Sequence, residues 1–117
     1  MKGELKSLGV NSAEFTPETY QPDEIDCFGL WVNLCIGPEK QMGGHDYQVF
    51  ICTPEWLCKH HWVPELMRHT LLVRKYDLDE ITKTITDYID RCEGKDWMEI
   101  AQKLSRVFAW EYEDYQP

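Results

Sequence analysis

The stretch "FGLWVNLCIGPEKQMGGHDYQVFICTP" (28–54) decides the fold. Phe28, Leu30, Val32, Leu34 and Ile36 recur at period two, which predicts a strand with one apolar face. The opposite side carries Gly29, Trp31, Asn33 and Cys35, apolar enough to predict that this strand is covered on both sides and central in a sheet. Gly37, Pro38, Gly43 and Gly44 then supply a turn of hairpin type across 37–44. The returning strand, 46–53, places Tyr47, Val49 and Ile51 on one face. Pro54 ends it and suits the first position of a helix, with Thr53 as N-cap. "EWLCKHHW" (55–62) therefore predicts a short helix after the hairpin, stopped near Pro64.

Outward from this hairpin, residues 3–10 predict a short edge strand. Residues 11–27, with Pro17, Pro22 and the acids Asp23, Glu24 and Asp26, predict an irregular connection. "TLLVRKY" (70–76) predicts a further strand. Two helices follow. Asp77 precedes Glu80 at capping-box spacing, and Ile81, Ile85, Tyr88, Ile89 and Cys92 form one apolar stripe that Gly94 ends. Asp96 and Glu99 repeat the cap, with Trp97, Ile100, Ala101, Leu104 and Phe108 as the second stripe. At the end of the chain, Phe108, Trp110 and Tyr112 alternate with Ala109, Glu111 and Glu113, as in a short strand that buries its aromatic side. The expected architecture is α+β. An antiparallel sheet of about four to five strands carries the two amphipathic C-terminal helices on one face, leaving the other face wetter or used for binding.

A chain of 117 residues fits one domain over 1–117, with 43% hydrophobic residues to build a core. Its net charge of −9 repels phosphates and argues against nucleic acid as a ligand. The same charge favours encounter with a basic partner. No apolar run is long enough for a membrane span, and "MKGELKSLGV" (1–10) lacks the apolar core of a signal peptide. The five cysteines, Cys27, Cys35, Cys52, Cys58 and Cys92, are odd in number and scattered. They read as reduced thiols of a cytoplasmic protein rather than a disulfide framework.

Three chemistries compete with a binding role. Cys52, Cys58, His60 and His61, with His45 upstream, are the densest set of metal or nucleophile candidates. Zinc, however, favours closely spaced cysteine pairs, and adjacent histidines on a helix diverge. A Cys–His pair would need an accessible low-pKa thiolate with a base in reach, and no third group to orient the base is evident. Carboxylates at 77–80 and 111–114 are explained by helix caps and a solvated face. "MGGH" (42–45) lacks the spacing of a phosphate-binding loop, so no cofactor is expected. Among the aromatics, Trp31, Trp56, Trp97 and Trp110 fall in elements with an apolar face and are expected in the core. Trp62, next to a proline in a connection, is expected at the surface.

The segments "FGLWVNLCIGP" (28–38), "FICTPEWL" (50–57) and "GKDWMEIAQKLSRVFAWEYEDY" (94–115) together resemble immunity-protein family eight of bacterial polymorphic toxin systems, over roughly residues 25–115. That resemblance implies a non-catalytic cytoplasmic inhibitor that binds and neutralises a cognate toxin domain, with no catalytic residues to carry over. Self-association is left open. The acidic residues expected to meet a basic toxin, for instance a nuclease, are Asp23, Glu24 and Asp26 in the connection and Glu111, Glu113 and Asp114 at the terminus. The alternative reading is a small Cys/His or metal-dependent hydrolase centred on 52–61.

Overall fold

The computed structural model describes residues 1–112. Its elements in chain order are β1 (Gly3–Gly9), β2 (Gly29–Pro38), β3 (His45–Cys52), α1 (Pro54–His60), β4 (Thr70–Leu72), α2 (Leu78–Arg91), α3 (Trp97–Leu104) and β5 (Ala109–Trp110). The five strands form one sheet in the order β1-β2-β3-β4, with β5 also beside β3. β1 pairs antiparallel with β2 through a bulge between Leu5 and Ser7. β2 and β3 form the expected hairpin, in register from Gly29↔Cys52 to Ile36↔His45.

The second edge of β3 is shared. β5 pairs with it antiparallel at Tyr47 and Gln48, and β4 pairs with it at Phe50, Ile51 and Cys52. β4 runs parallel to β3, so the sheet is mixed and not purely antiparallel. The cause is the connection: α1 and the loop after it carry the chain back past the end of β3, so that Thr70 enters the sheet beside Phe50 and β4 runs in the same direction as β3. The strand expected over 70–76 is correspondingly short. After Leu72, Val73 N–H still donates to the Cys52 carbonyl at 2.9 Å, but Tyr76 N–H donates to Ile25 in the N-terminal connection at 2.9 Å, so the chain has left the sheet.

The alternation of β2 and β3 sorts their side chains onto two faces. Val32, Leu34, Ile36, Tyr47, Val49 and Ile51 point inward, each no more than 2% exposed. Against them lie Ile81, Ile85 and Ile89 of α2 and Ile100 and Leu104 of α3. Both helices begin as the sequence predicts, with Asp77 and Asp96 side chains accepting the Glu80 and Glu99 amides at 3.2 and 2.9 Å. α2 is capped at Cys92, two residues before the glycine expected to end it, and Gly94 N–H donates to the Met1 carbonyl instead. α3 ends at Leu104. Phe108 reaches the core from the turn that follows, its amide donating to the Leu104 carbonyl at 2.9 Å.

The outer face differs from expectation. The strand predicted to be covered on both sides is only partly covered on its outer side, where Gly29, Asn33 and Cys35 are half-buried. Trp31, expected in the core, is 51% exposed. Neither α2 nor α3 reaches this face, and α1 is too short to shield more than one end of it.

Close backbone approach sets the hairpin. A methyl group at Gly37 would overlap the Gly43 carbonyl, and one at Gly44 would lie 2.5 Å from the Ile36 carbonyl oxygen. Gly37→Ala should therefore cost about 2 kcal/mol or more, whereas Gly9→Ala, whose methyl meets nothing within 4 Å, should be neutral or slightly stabilising. Urea unfolding midpoints of the two variants test the contrast, and equal midpoints would refute it.

Burial raises the tyrosine hydroxyls of Tyr20, Tyr47, Tyr76 and Tyr88 above their ordinary 10.0, Tyr47 most strongly. A raised folded-state pKa leaves stability intact below the unfolded value and removes it as pH climbs above, because the unfolded chain ionises first. The fold should thus weaken above about pH 10. The Tyr47 hydroxyl is buried without a hydrogen-bond partner among the described residues. Tyr47→Phe should accordingly match or exceed the parent by about 1 kcal/mol at neutral pH and flatten the alkaline loss. Thermal melts at pH 7 and above pH 10 read both effects.

Candidate functional site

The outer face is built around α1. Thr53 Oγ1 accepts the Trp56 amide as N-cap and also the Phe28 amide, each at 3.3 Å, while Thr53 N–H donates to the Phe28 carbonyl at 3.2 Å. This fully buried threonine ties the start of the helix to the start of β2. The absence of a side chain at Gly29 lets the Trp56 indole lie on the sheet, since a Cβ there would sit 2.6 Å from Trp56 Cε2 and 2.8 Å from Phe50 Cζ.

The rings continue across the face. Trp31 and Phe50, directly opposite in the hairpin, have centroids 5.3 Å apart. Phe50 and Trp56 are 5.2 Å apart, and Trp56 stacks on His60 at 4.7 Å. Such contacts hold aromatic rings in place beyond what area burial supplies. A cleft of about 290 Å³ opens here between Trp31, Phe50 and Trp56 on one side and His61, Glu65 and Met67 on the other. The loop contributing the second wall exposes Trp62 (81%), Val63 (71%) and Leu66 (97%). Trp62 is at the surface, as expected from sequence. The sequence expectation of an outer face that is wetter or used for binding names no ring there; its signal is Trp31, on the side of β2 opposite the period-two apolar residues.

The acidic candidates fall at opposite ends of the hairpin. Asp23, Glu24 and Asp26 are exposed beside α1, where Glu24 Oε2 lies 3.9 Å from Lys59 Nζ. Glu111 is at the far end, its Oε1 accepting the Asp46 amide at 3.0 Å while its own amide donates to the Asp46 carbonyl at 3.1 Å. Six strand residues separate the two ends, roughly 20 Å. The structure therefore does not bring Glu111 to Asp23, Glu24 and Asp26. Glu113 and Asp114 lie outside the described residues.

The residues of the hydrolase reading are also dispersed. Cys52 is buried, and burial pushes its thiol up, the opposite of an activated nucleophile. Cys58 is exposed on α1. His60 Nδ1 donates to the Trp56 carbonyl at 3.0 Å, and His61 Nε2 pairs with Glu65 Oε2 at 2.9 Å. His45 is committed elsewhere: its Nδ1 accepts the indole N–H groups of Trp97 and Trp110 at 3.2 and 3.1 Å. Among the described residues, no three His, Cys, Asp or Glu side chains converge as a metal site would need. No helix among them is long and apolar enough to cross a membrane.

A small α+β domain with an aromatic, loop-walled face has the equipment of a protein-binding module. The chain belongs to the immunity protein 8 family, whose model matches residues 3–115 and so takes in β1 and the connection as well as the motifs noted above. No curated protein and no solved structure matches it.

Replacing Cys58, which is exposed and outside the cleft, by Ser should leave toxin protection intact, and the purified parent protein should carry only sub-stoichiometric zinc. Elemental analysis and a protection assay check this. One zinc per chain, or lost protection in a folded variant, would restore the metal reading.

Proposed function

We propose that this protein binds a cognate bacterial toxin domain by protein–protein contact and neutralises it without catalysis, protecting the cell that makes it. Membership of the immunity protein 8 family over nearly the whole chain is the observation that carries this reading. The toxin domain in this proposal is basic, as a nuclease would be. The surplus of 21 Asp and Glu over 12 Lys and Arg then accelerates its capture. Steering by opposite charge raises association rates by about 10–10³-fold at low ionic strength, which suits an inhibitor that must act before the toxin does. Asp23, Glu24, Asp26, Glu111, Glu113 and Asp114 are the carboxylates assigned to that role. Glu111 also clasps Asp46, so its contribution to steering is separable from its structural one only by a conservative change such as Glu111→Gln.

Cells expressing the toxin domain encoded beside this gene should survive when they co-express this protein. Changing Asp23, Glu24 and Asp26 to Lys, together with Glu113 and Asp114, should slow association by about tenfold or more and flatten its dependence on salt. Stopped-flow binding at two ionic strengths measures both. Unchanged rates and an unchanged salt slope would remove these acids from the mechanism.

A further inference from the structure

We propose that the toxin domain docks on the aromatic outer face, with an apolar side chain from a basic surface of the toxin seated in the cleft between Trp31, Phe50, Trp56 and the loop wall. This rests on the immunity reading and supplies the surface that reading lacks.

The floor of the cleft is pre-organised. Trp31 and Phe50 are held by the β2–β3 register, and Trp56 by its seat on Gly29 and by the double hydrogen bond of Thr53. Ordering such rings costs little on binding because they are already ordered. The opposite wall is a loop without regular secondary structure. Met67 lines the cleft, and Trp62, Val63 and Leu66 are its sequence neighbours in the same loop, all largely exposed. A monomer's largest exposed apolar patch is usually a few hundred Å² and often functional. Trp31, on the floor of the cleft, is half exposed.

The charge around the cleft chooses the partner. Glu65 lines it, Glu55 stands on α1, and Asp23, Glu24 and Asp26 flank the helix. Against these stand Arg68, which lines the cleft with Glu65, and Lys59 on α1. Lys59 is already bracketed by carboxylates, with Glu24 at 3.9 Å and Glu55 at 3.8 Å. An apolar centre with a carboxylate-rich rim complements a basic surface carrying an apolar knob. It disfavours a symmetric dimer, in which the same carboxylates would face one another.

Isothermal titration of the full chain with the catalytically inactivated toxin domain from the adjacent gene tests the assignment. Trp31→Ala removes a half-exposed ring and Trp62→Ala/Leu66→Ala two largely exposed side chains, so both variants should stay folded, with the loop variant melting like the parent and Trp31→Ala a few degrees lower. Each should weaken binding by about 30-fold or more, as loss of a central anchor does. Glu65→Lys should weaken it by a smaller factor. Parent affinity intact with the Trp31 and loop variants within about threefold would overturn the docking face and leave the immunity function standing. Failure of the parent chain to bind the toxin domain would overturn the functional reading and the docking face with it. Self-association of the parent that Trp31→Ala abolishes, seen by sedimentation equilibrium, would assign the face to a second copy and overturn the proposal.

Discussion

Gly37 lies so close to the backbone of Gly43 and Gly44 that no side chain fits between them, and the rest of the molecule depends on this contact. It holds the ends of β2 and β3 in a single register. Strand side chains alternate, so a slip by one residue would turn Val32, Leu34, Ile36, Tyr47, Val49 and Ile51 out to water and Trp31 and Phe50 into the core. With the register held, the inner face is continuous and apolar, and α2 and α3 have a surface for their apolar stripes to cover. Trp31 and Phe50 then stand opposite one another on the outer face, paired and half in water.

β3 is the axis of the sheet because it pairs with three other strands, yet its second edge is filled by two short strands from distant parts of the chain. A strand of two or three residues brings few hydrogen bonds of its own, so each needs other attachments. For β5 the attachment is His45. Its Nδ1 accepts indole N–H groups from Trp97 of α3 and Trp110 of β5, so that nitrogen carries no proton and the ring joins sheet, helix and C-terminal strand at one point. Stacking of Trp110 on Tyr47 and the clasp between Glu111 and Asp46 complete the docking of residues 109–111. The aromatic and acidic residues near the chain end have separate tasks: the rings anchor the strand, and one of the acids locks its backbone.

The two faces of the sheet divide the work. The inner face and its helices make the scaffold rigid. The outer face, capped at one end by α1, leaves aromatic rings half in water where a partner can displace that water. In the proposed complex, long-range attraction and close-range contact rest on different residues: the carboxylate surplus spread over the surface serves the first, and a few rings and the loop after α1 serve the second. This division follows from the physics. Charge acts over a Debye length of about 10 Å and tolerates imprecise placement, whereas an apolar anchor works only at contact and needs a rigid floor.

The period-two and helical patterns of the sequence are enough to determine the hairpin, α1 with its Thr53 cap, α2 and α3 with their aspartate caps, and the inward residues. Each follows from interactions within a few positions along the chain, where side-chain spacing and cap chemistry are local. The parallel pairing of β4, the two-residue length of β5 and the exposure of Trp31 come only from the tertiary structure. Strand pairing partners are chosen by where a connection returns in space. A strand's second face is dry or wet according to which helix reaches it, and α1, alone on that side, covers only the end where Gly29 admits Trp56. The acidic residues of 23–26 and Glu111 are visible in the sequence as charge, but their separation by the length of the hairpin is not. Neither is the cleft, whose two walls come from strands and a loop that meet only once the chain is folded.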